Sequence, residues 1–179
     1  VIMLFRSLVY SLLATLLSGC LLTAAERPED DLKPLVDTNP WQARGKMLVS
    51  SENERQTLRF IWSHLSEEQD RIELSDSLGL RSIILIRDSD EYYQENTQGH
   101  LILLSANTLE EPLAAVLSSL PSDISRLMTG AKSADNRVTS EVVSWSTSAQ
   151  FATPEVLRVH FGDYGLKIMI NQWDIGSGE

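Results

Sequence analysis

From Trp41 onward, apolar and polar residues alternate mostly with a period of two. In T-L-R-F-I-W-S-H-L, residues 57–65, Leu58, Phe60 and Trp62 share one face while Thr57, Arg59 and Ser63 take the other, with Ile61 as an interruption. D-R-I-E-L-S-D, residues 70–76, sets Ile72 and Leu74 against Arg71 and Glu73. The runs 80–88 (L-R-S-I-I-L-I-R-D) and 99–106 (G-H-L-I-L-L-S-A) are apolar enough to be covered on both faces. Later, Leu157, Val159 and Phe161 oppose Arg158 and His160, and Leu166, Ile168 and Ile170 oppose Lys167 and Asn171. Between these two segments lies G-D-Y-G, whose glycines suit a hairpin loop, so the pattern predicts neighbouring antiparallel strands.

Only the middle of the chain has helical spacing. Thr108 and Glu111 form a potential capping box, Pro112 is tolerated in a first turn, and Leu113, Val116, Leu117 and Leu120 then fall on one face. Pro121 ends that run. Ser122 can cap a second short helix with Ile124, Leu127 and Met128 inward, and Gly130 provides its stop. The predicted fold class is therefore mainly β (α+β): a curved antiparallel sheet whose apolar face is covered by a helical lid.

The segment ahead of this domain reads as an address. Arg6 precedes an apolar run from Leu8 to Leu17, about half the ~20 residues needed to span a bilayer as a helix, and small residues Ser18 and Gly19 precede Cys20. Leu17-Ser18-Gly19-Cys20 resembles the bacterial lipobox, which implies a lipoprotein signal at 1–19 and acylation of Cys20. Two or more acyl chains hold a protein on a membrane where a single chain does not. Residues 20–40, with three prolines and a cluster of acids, read as a flexible tether to a folded domain at 41–175.

Charge and motifs then exclude whole classes of function. The chain has 15 basic and 25 acidic residues, a formal net charge of −10, and no basic run, so no nucleic-acid partner is implied and membrane attachment falls to the lipid. It contains no Gly-x-Ser-x-Gly elbow, no His-Glu-x-x-His, no phosphate loop and no Gly-x-Gly-x-x-Gly. His64, His100 and His160 are far apart, and Glu67, Glu68 and Asp70 read as a solvated charge run in a hairpin loop. The expectation is a protein that is not an enzyme, with no catalytic residues, no cofactor and no metal.

The ordered segments R-G-K-M-L-V (44–49), R-F-I-W (59–62), R-I-E-L-S-D-S-L-G-L (71–80) and L-K-I-M-I-N-Q-W (166–173) together resemble the outer-membrane lipoprotein receptor family LolB. The resemblance implies a half-barrel sheet, LolA/LolB-like, with a helical lid over an apolar cavity for lipoprotein acyl chains. It also implies a LolA-like periplasmic carrier as partner, and a monomer lipid-anchored at the periplasmic face of the outer membrane. Leu21 after the cysteine fits that destination, since the family's inner-membrane retention signal is an aspartate there. Candidate cavity-lining residues are Leu58, Phe60, Trp62, Leu74, Ile84, Leu103, Leu117, Leu157 and Ile168; periodicity alone reads the same residues as packed core. The family's Asn-Pro-Leu-Gly loop is here Asp76-Ser77-Leu78-Gly79, and Leu78 is the candidate membrane-contact residue, in a loop that loss of the proline would loosen. The stretch 130–154 is abbreviated and lacks the family's Gly-Trp strand, with Trp145 as its nearest substitute. The other class consistent with the sequence is a lipid-anchored periplasmic scaffold without lipid transfer.

Overall fold

A computed structural model describes residues 25–28, 33–35, 40–52, 54–89, 91–104, 120–147 and 151–176. The described residues form an open, mostly antiparallel sheet of ten strands and one short helix. In chain order they are β1 (Lys33–Pro34), β2 (Trp41–Ser50), β3 (Arg55–Ser66), β4 (Gln69–Asp76), β5 (Ser82–Asp88), β6 (Glu91–Glu95) and β7 (Leu101–Leu103), then helix α1 (Ile124–Met128), and last β8 (Val138–Thr147), β9 (Phe151–Phe161) and β10 (Tyr164–Ile175). The spatial order is β1-β9-β10-β2-β3-β4-β5-β6-β7, with β8 also paired to β9 and β1 the parallel exception. From β2 to β7 it is a meander, as short polar turns between alternating segments dictate. The predicted hairpin is present, with Tyr164 opposite Phe161 and Leu166 opposite Val159.

One face of the sheet carries the core. Leu58, Phe60 and Trp62 of β3, Ile72 and Leu74 of β4, Leu157 and Val159 of β9, and Leu166 and Ile168 of β10 are buried there, and Ile124, Leu127 and Met128 of α1 pack onto them. The tether is shorter than the sequence implied. Leu35 is 1% exposed within this core, β1 pairs with β9, and the Ala25 amide donates to the Val142 carbonyl, so part of 20–40 lies on the sheet. The proline content that suggested an extended tether is equally compatible with a short edge strand.

Gly45 sets how closely two central strands approach. A Cβ at this position would stand 2.0 Å from the Met169 carbonyl oxygen of β10, which is backbone and cannot rotate away. The β2–β10 register shifts between Ile170 and Gln172, leaving Asn171 as a bulge that bends β10 where it passes Gly45.

A buried polar cluster fastens α1 to the sheet. Asp70, opposite His64 on β3 and Arg87 on β5, is 1% exposed, so it is not the solvated loop acid that its Glu67-Glu68 neighbourhood suggested. Its carboxylate pairs with His64 Nδ1 at 2.7 Å, Arg87 Nε at 2.5 Å and the Ser125 hydroxyl of α1 at 2.6 Å. Arg87 uses its remaining nitrogens on the Ser89 and Glu67 carbonyls, and the Trp41 ring stacks on His64 with centroids 5.0 Å apart. Burial pushes the Asp70 pKa up, but the hydrogen bonds from His64, Ser125 and Arg87, with the guanidinium charge, outweigh it and hold the group below its ordinary 3.8.

Two outcomes follow. Because the folded pKa is depressed, the stability that Asp70 contributes is complete above about pH 5 and is lost as pH falls through the unfolded value and then the folded one. Asp70→Asn should cost about 3–5 kcal/mol near neutrality, by stranding Arg87, and should flatten the decline in stability between about pH 5 and 3, read from urea unfolding at each pH. Gly45→Ala should cost about 1–3 kcal/mol in the same assay by forcing β10 off β2.

Candidate functional site

The core-facing wall gathers six of the sequence-predicted lining residues. Leu58, Phe60, Trp62, Leu74, Leu157 and Ile168 all lie on this face and are buried. Strand parity put them there, since cross-strand partners such as Phe60 and Leu74 share a face. The Trp62 indole Nε1, buried in this wall, has no hydrogen-bond partner among the described residues.

Two candidates sit elsewhere. Ile84 pairs with Glu73, on the opposite face; Leu85, opposite Ile72, is the buried core residue of β5. A strand apolar on both faces carries no parity signal, and the choice between Ile84 and Leu85 falls to register. Leu103 pairs with Tyr93 at the sheet edge, on that same outer face, and is 53% exposed, while Leu104 packs against the core. Leu117 and Cys20 lie outside the described residues.

The polar cluster under α1 contains a serine, an aspartate and a histidine, but not in the order of a nucleophilic triad. Ser125 donates its proton to Asp70, and His64 engages the same carboxylate through Nδ1. Among the described residues no histidine nitrogen faces the serine oxygen, and the Ser125–Asp70 hydrogen bond positions α1. The sequence reading missed this cluster, although His64 continues the parity of Phe60 and Trp62 and Asp70 that of Ile72 and Leu74.

At the end of the β4–β5 hairpin the apolar character turns outward. Leu78 is 78% exposed and Leu80 is 79% exposed, so this tip presents two leucines to water. It does so without the family's proline and is nonetheless pinned. The Asp76 carbonyl accepts the Gly79 amide at 3.1 Å, the Asp76 carboxylate accepts the Leu80 amide at 2.9 Å, and the Asp76 amide donates to the Arg81 carbonyl. Gly79 adopts φ +73°, which a side chain would strain, and separates the two leucines. These Asp76 contacts close the turn in the absence of a proline. Leu80 was not among the predicted site residues; its exposure depends on the turn geometry, which composition does not reveal.

Comparison with known proteins agrees with this geometry. Residues 39–122 match the family described as outer membrane lipoprotein LolB, a span that takes in β2 to β7 with Asp70 and the leucine tip. An outer-membrane lipoprotein LolB of Shewanella sp. (strain W3-18-1) is 25% identical over 82% of this chain and 79% of its own length. The Shewanella oneidensis protein of the same name is 27% identical over the same shares. Among solved structures, a LolA superfamily protein from Nitrosomonas europaea superposes with a TM-score of 0.54 at 7% identity, covering 87% of this chain and 96% of that one, which shows a shared fold. The matched span and the curated relatives make the chain similar to the outer-membrane lipoproteins LolB, and its sheet shares the fold of the LolA superfamily structure.

Proposed function

We propose that the protein is an outer-membrane lipoprotein receptor: it accepts lipoproteins from a soluble LolA-like periplasmic carrier and places them in the outer membrane. The observation that carries this reading is the combination, on one LolB-like sheet, of a one-sided apolar wall and a hairpin tip whose two leucines stand in water. Acyl chains would lie between α1 and the wall formed by Leu58, Phe60, Trp62, Leu74, Leu157 and Ile168. Attraction there comes from exclusion of water and van der Waals contact, which leaves chain length and cargo identity unread. The Trp62 N–H is a buried donor that an ester carbonyl of the cargo would satisfy. No covalent step enters this mechanism. Carrier and receptor exchange cargo by the relative affinity of two apolar sites.

Residues 1–19 act as the signal, and acylated Cys20 holds a monomer at the periplasmic face of the membrane through the segment 20–40. Delivery then needs the domain to meet the bilayer, and Leu78 and Leu80 are the residues placed to do so. Burial of each leucine in lipid contributes about 1.5–3 kcal/mol, enough to favour a transient docked pose and too little to fix the domain there.

In a reconstituted assay with a model lipoprotein, carrier and liposomes, Leu78→Glu should leave circular dichroism and acyl binding unchanged and slow transfer roughly tenfold or more. Leu80→Glu should act in the same direction. Transfer at the wild-type rate by the double variant would remove the tip from the mechanism, and unfolding of either would make that leucine core. Cys20→Ala should abolish palmitate labelling and release the protein from the membrane fraction. Retention of the variant in membranes, with an unlabelled wild type, would overturn the lipid anchor.

A further inference from the structure

The outer face of the sheet, away from the core, concentrates positive charge in a chain whose net charge is −10. Arg44 and Lys46 of β2, Arg55 and Arg59 of β3 and Lys167 of β10 all point to this face, opposite in parity to the buried residues of their strands. Of the acids on the same face, Glu73 and Glu95 are engaged by Arg71 and Glu141 by Arg158, while Asp88, Glu91 and Asp174 lie toward the end away from the β4–β5 hairpin. None of the five cations makes an ion pair among the described residues. Arg44 is oriented by a neutral partner, both its Nε and Nη2 donating to Gln42 Oε1 at 2.9 and 2.8 Å, so its charge is fixed in place and not cancelled.

Lys46 and Arg59 are directly opposite each other across β2 and β3. Like charges in that arrangement repel and destabilise a sheet, and among the described residues no acid forms an ion pair with either. They overlook a depression of about 490 Å³, rimmed also by Arg44, Glu73, Ser75 and Ser82 and floored at Gly45. Alternation hides this cluster in the sequence, because cations two residues apart on separate strands never form a run.

We infer that this face docks on the anionic phosphate plane of a phospholipid membrane, with Lys46 and Arg59 at its centre. Ser75 and Ser82, on the rim of the depression, are the residues flanking the hairpin that carries Leu78 and Leu80, so cations and exposed leucines form one continuous surface. A bilayer offers an anionic plane with an apolar layer beneath it and matches both, whereas an acidic protein surface matches only the first. Asp174 stands at the end of the face farthest from the tip, opposite Gln42, and Glu52 and Glu54 bound it beside Arg55. With screening over about 8–10 Å at ordinary ionic strength, the acids at the far end of the face act weakly on Lys46 and Arg59. The inference goes beyond lipoprotein delivery, since this docking needs no cargo.

The test is sedimentation of the mature chain, residues 20–179, carrying Cys20→Ala, with vesicles containing phosphatidylglycerol or made of phosphatidylcholine alone. Binding is expected to the anionic vesicles, falling as salt is raised. Lys46→Gln with Arg59→Gln should weaken it roughly 20-fold, about fivefold per charge, with Tm unchanged or raised because the cross-strand repulsion is gone. Lys46→Arg with Arg59→Lys should retain it. Equal binding to neutral vesicles, undiminished anionic binding by the glutamine variant, or a fall in its Tm would each overturn the inference. So would vesicle binding displaced by an acidic protein and insensitive to lipid charge. Failure of lipoprotein delivery in every form, with charge-dependent binding intact, would instead remove the receptor reading and leave this one standing.

Discussion

The carboxylate of Asp70 is where the sheet and its helix are joined. Three strands and α1 contribute to its surroundings: His64 from β3, Asp70 itself from β4, Arg87 from β5 and Ser125 from the helix. Buried ion pairs seldom add much net stability, because desolvation of both charges offsets their attraction. What such a pair supplies here is position. A short apolar helix such as Ile124–Met128 could settle anywhere on an apolar sheet face, but Ser125 has one acceptor to reach, and that acceptor is held by Arg87 and His64.

Legibility in the sequence followed the strength of alternation. β3, β4, β9 and β10 alternate cleanly, and their core residues were read correctly because one buried face forces a period of two. β5 is apolar on both faces, so Ile84 and Leu85 were indistinguishable until Ile72 and Glu73 supplied the register. β6 (E-Y-Y-Q-E) and β8 (V-T-S-E-V-V-S-W-S-T) were not read as strands at all. Both are half-buried and polar, held by backbone pairing to their neighbours more than by an apolar stripe of their own. Asp70 was misread for a related reason. Its neighbours in sequence, Glu67 and Glu68, are exposed, while its neighbours in space are not, and only the continuation of the Ile72–Leu74 parity distinguishes the two situations.

The same alternation makes the sheet two-sided in chemistry. Each residue that turns Phe60 or Met47 inward turns Arg59 or Lys46 outward, so an apolar inner wall and a cationic outer face are consequences of one repeat. A one-residue slip would exchange them and place two arginines in the core, which gives the β2–β3 register a large penalty against error. Gly45 belongs to this design: it lets β10 cross tightly over β2 and leaves the outer depression beside the bulge at Asn171.

The hairpin tip shows how a turn without proline is held closed. Proline stiffens a turn by fixing φ in the folded and unfolded chain alike, whereas Asp76 stiffens this one by accepting the Leu80 amide and closing the loop on its own backbone. The two devices differ in what they spend: proline removes entropy before folding, and the aspartate clamp must order the chain when the turn forms. Once formed, both hold Leu78 away from the domain. Because Gly79 takes the left-handed conformation between them, Leu80 is turned outward as well, and the apolar tip is broader than a single leucine. Two leucines on one turn offer more apolar surface than one, and each methylene of it that a partner covered would contribute about 0.8 kcal/mol.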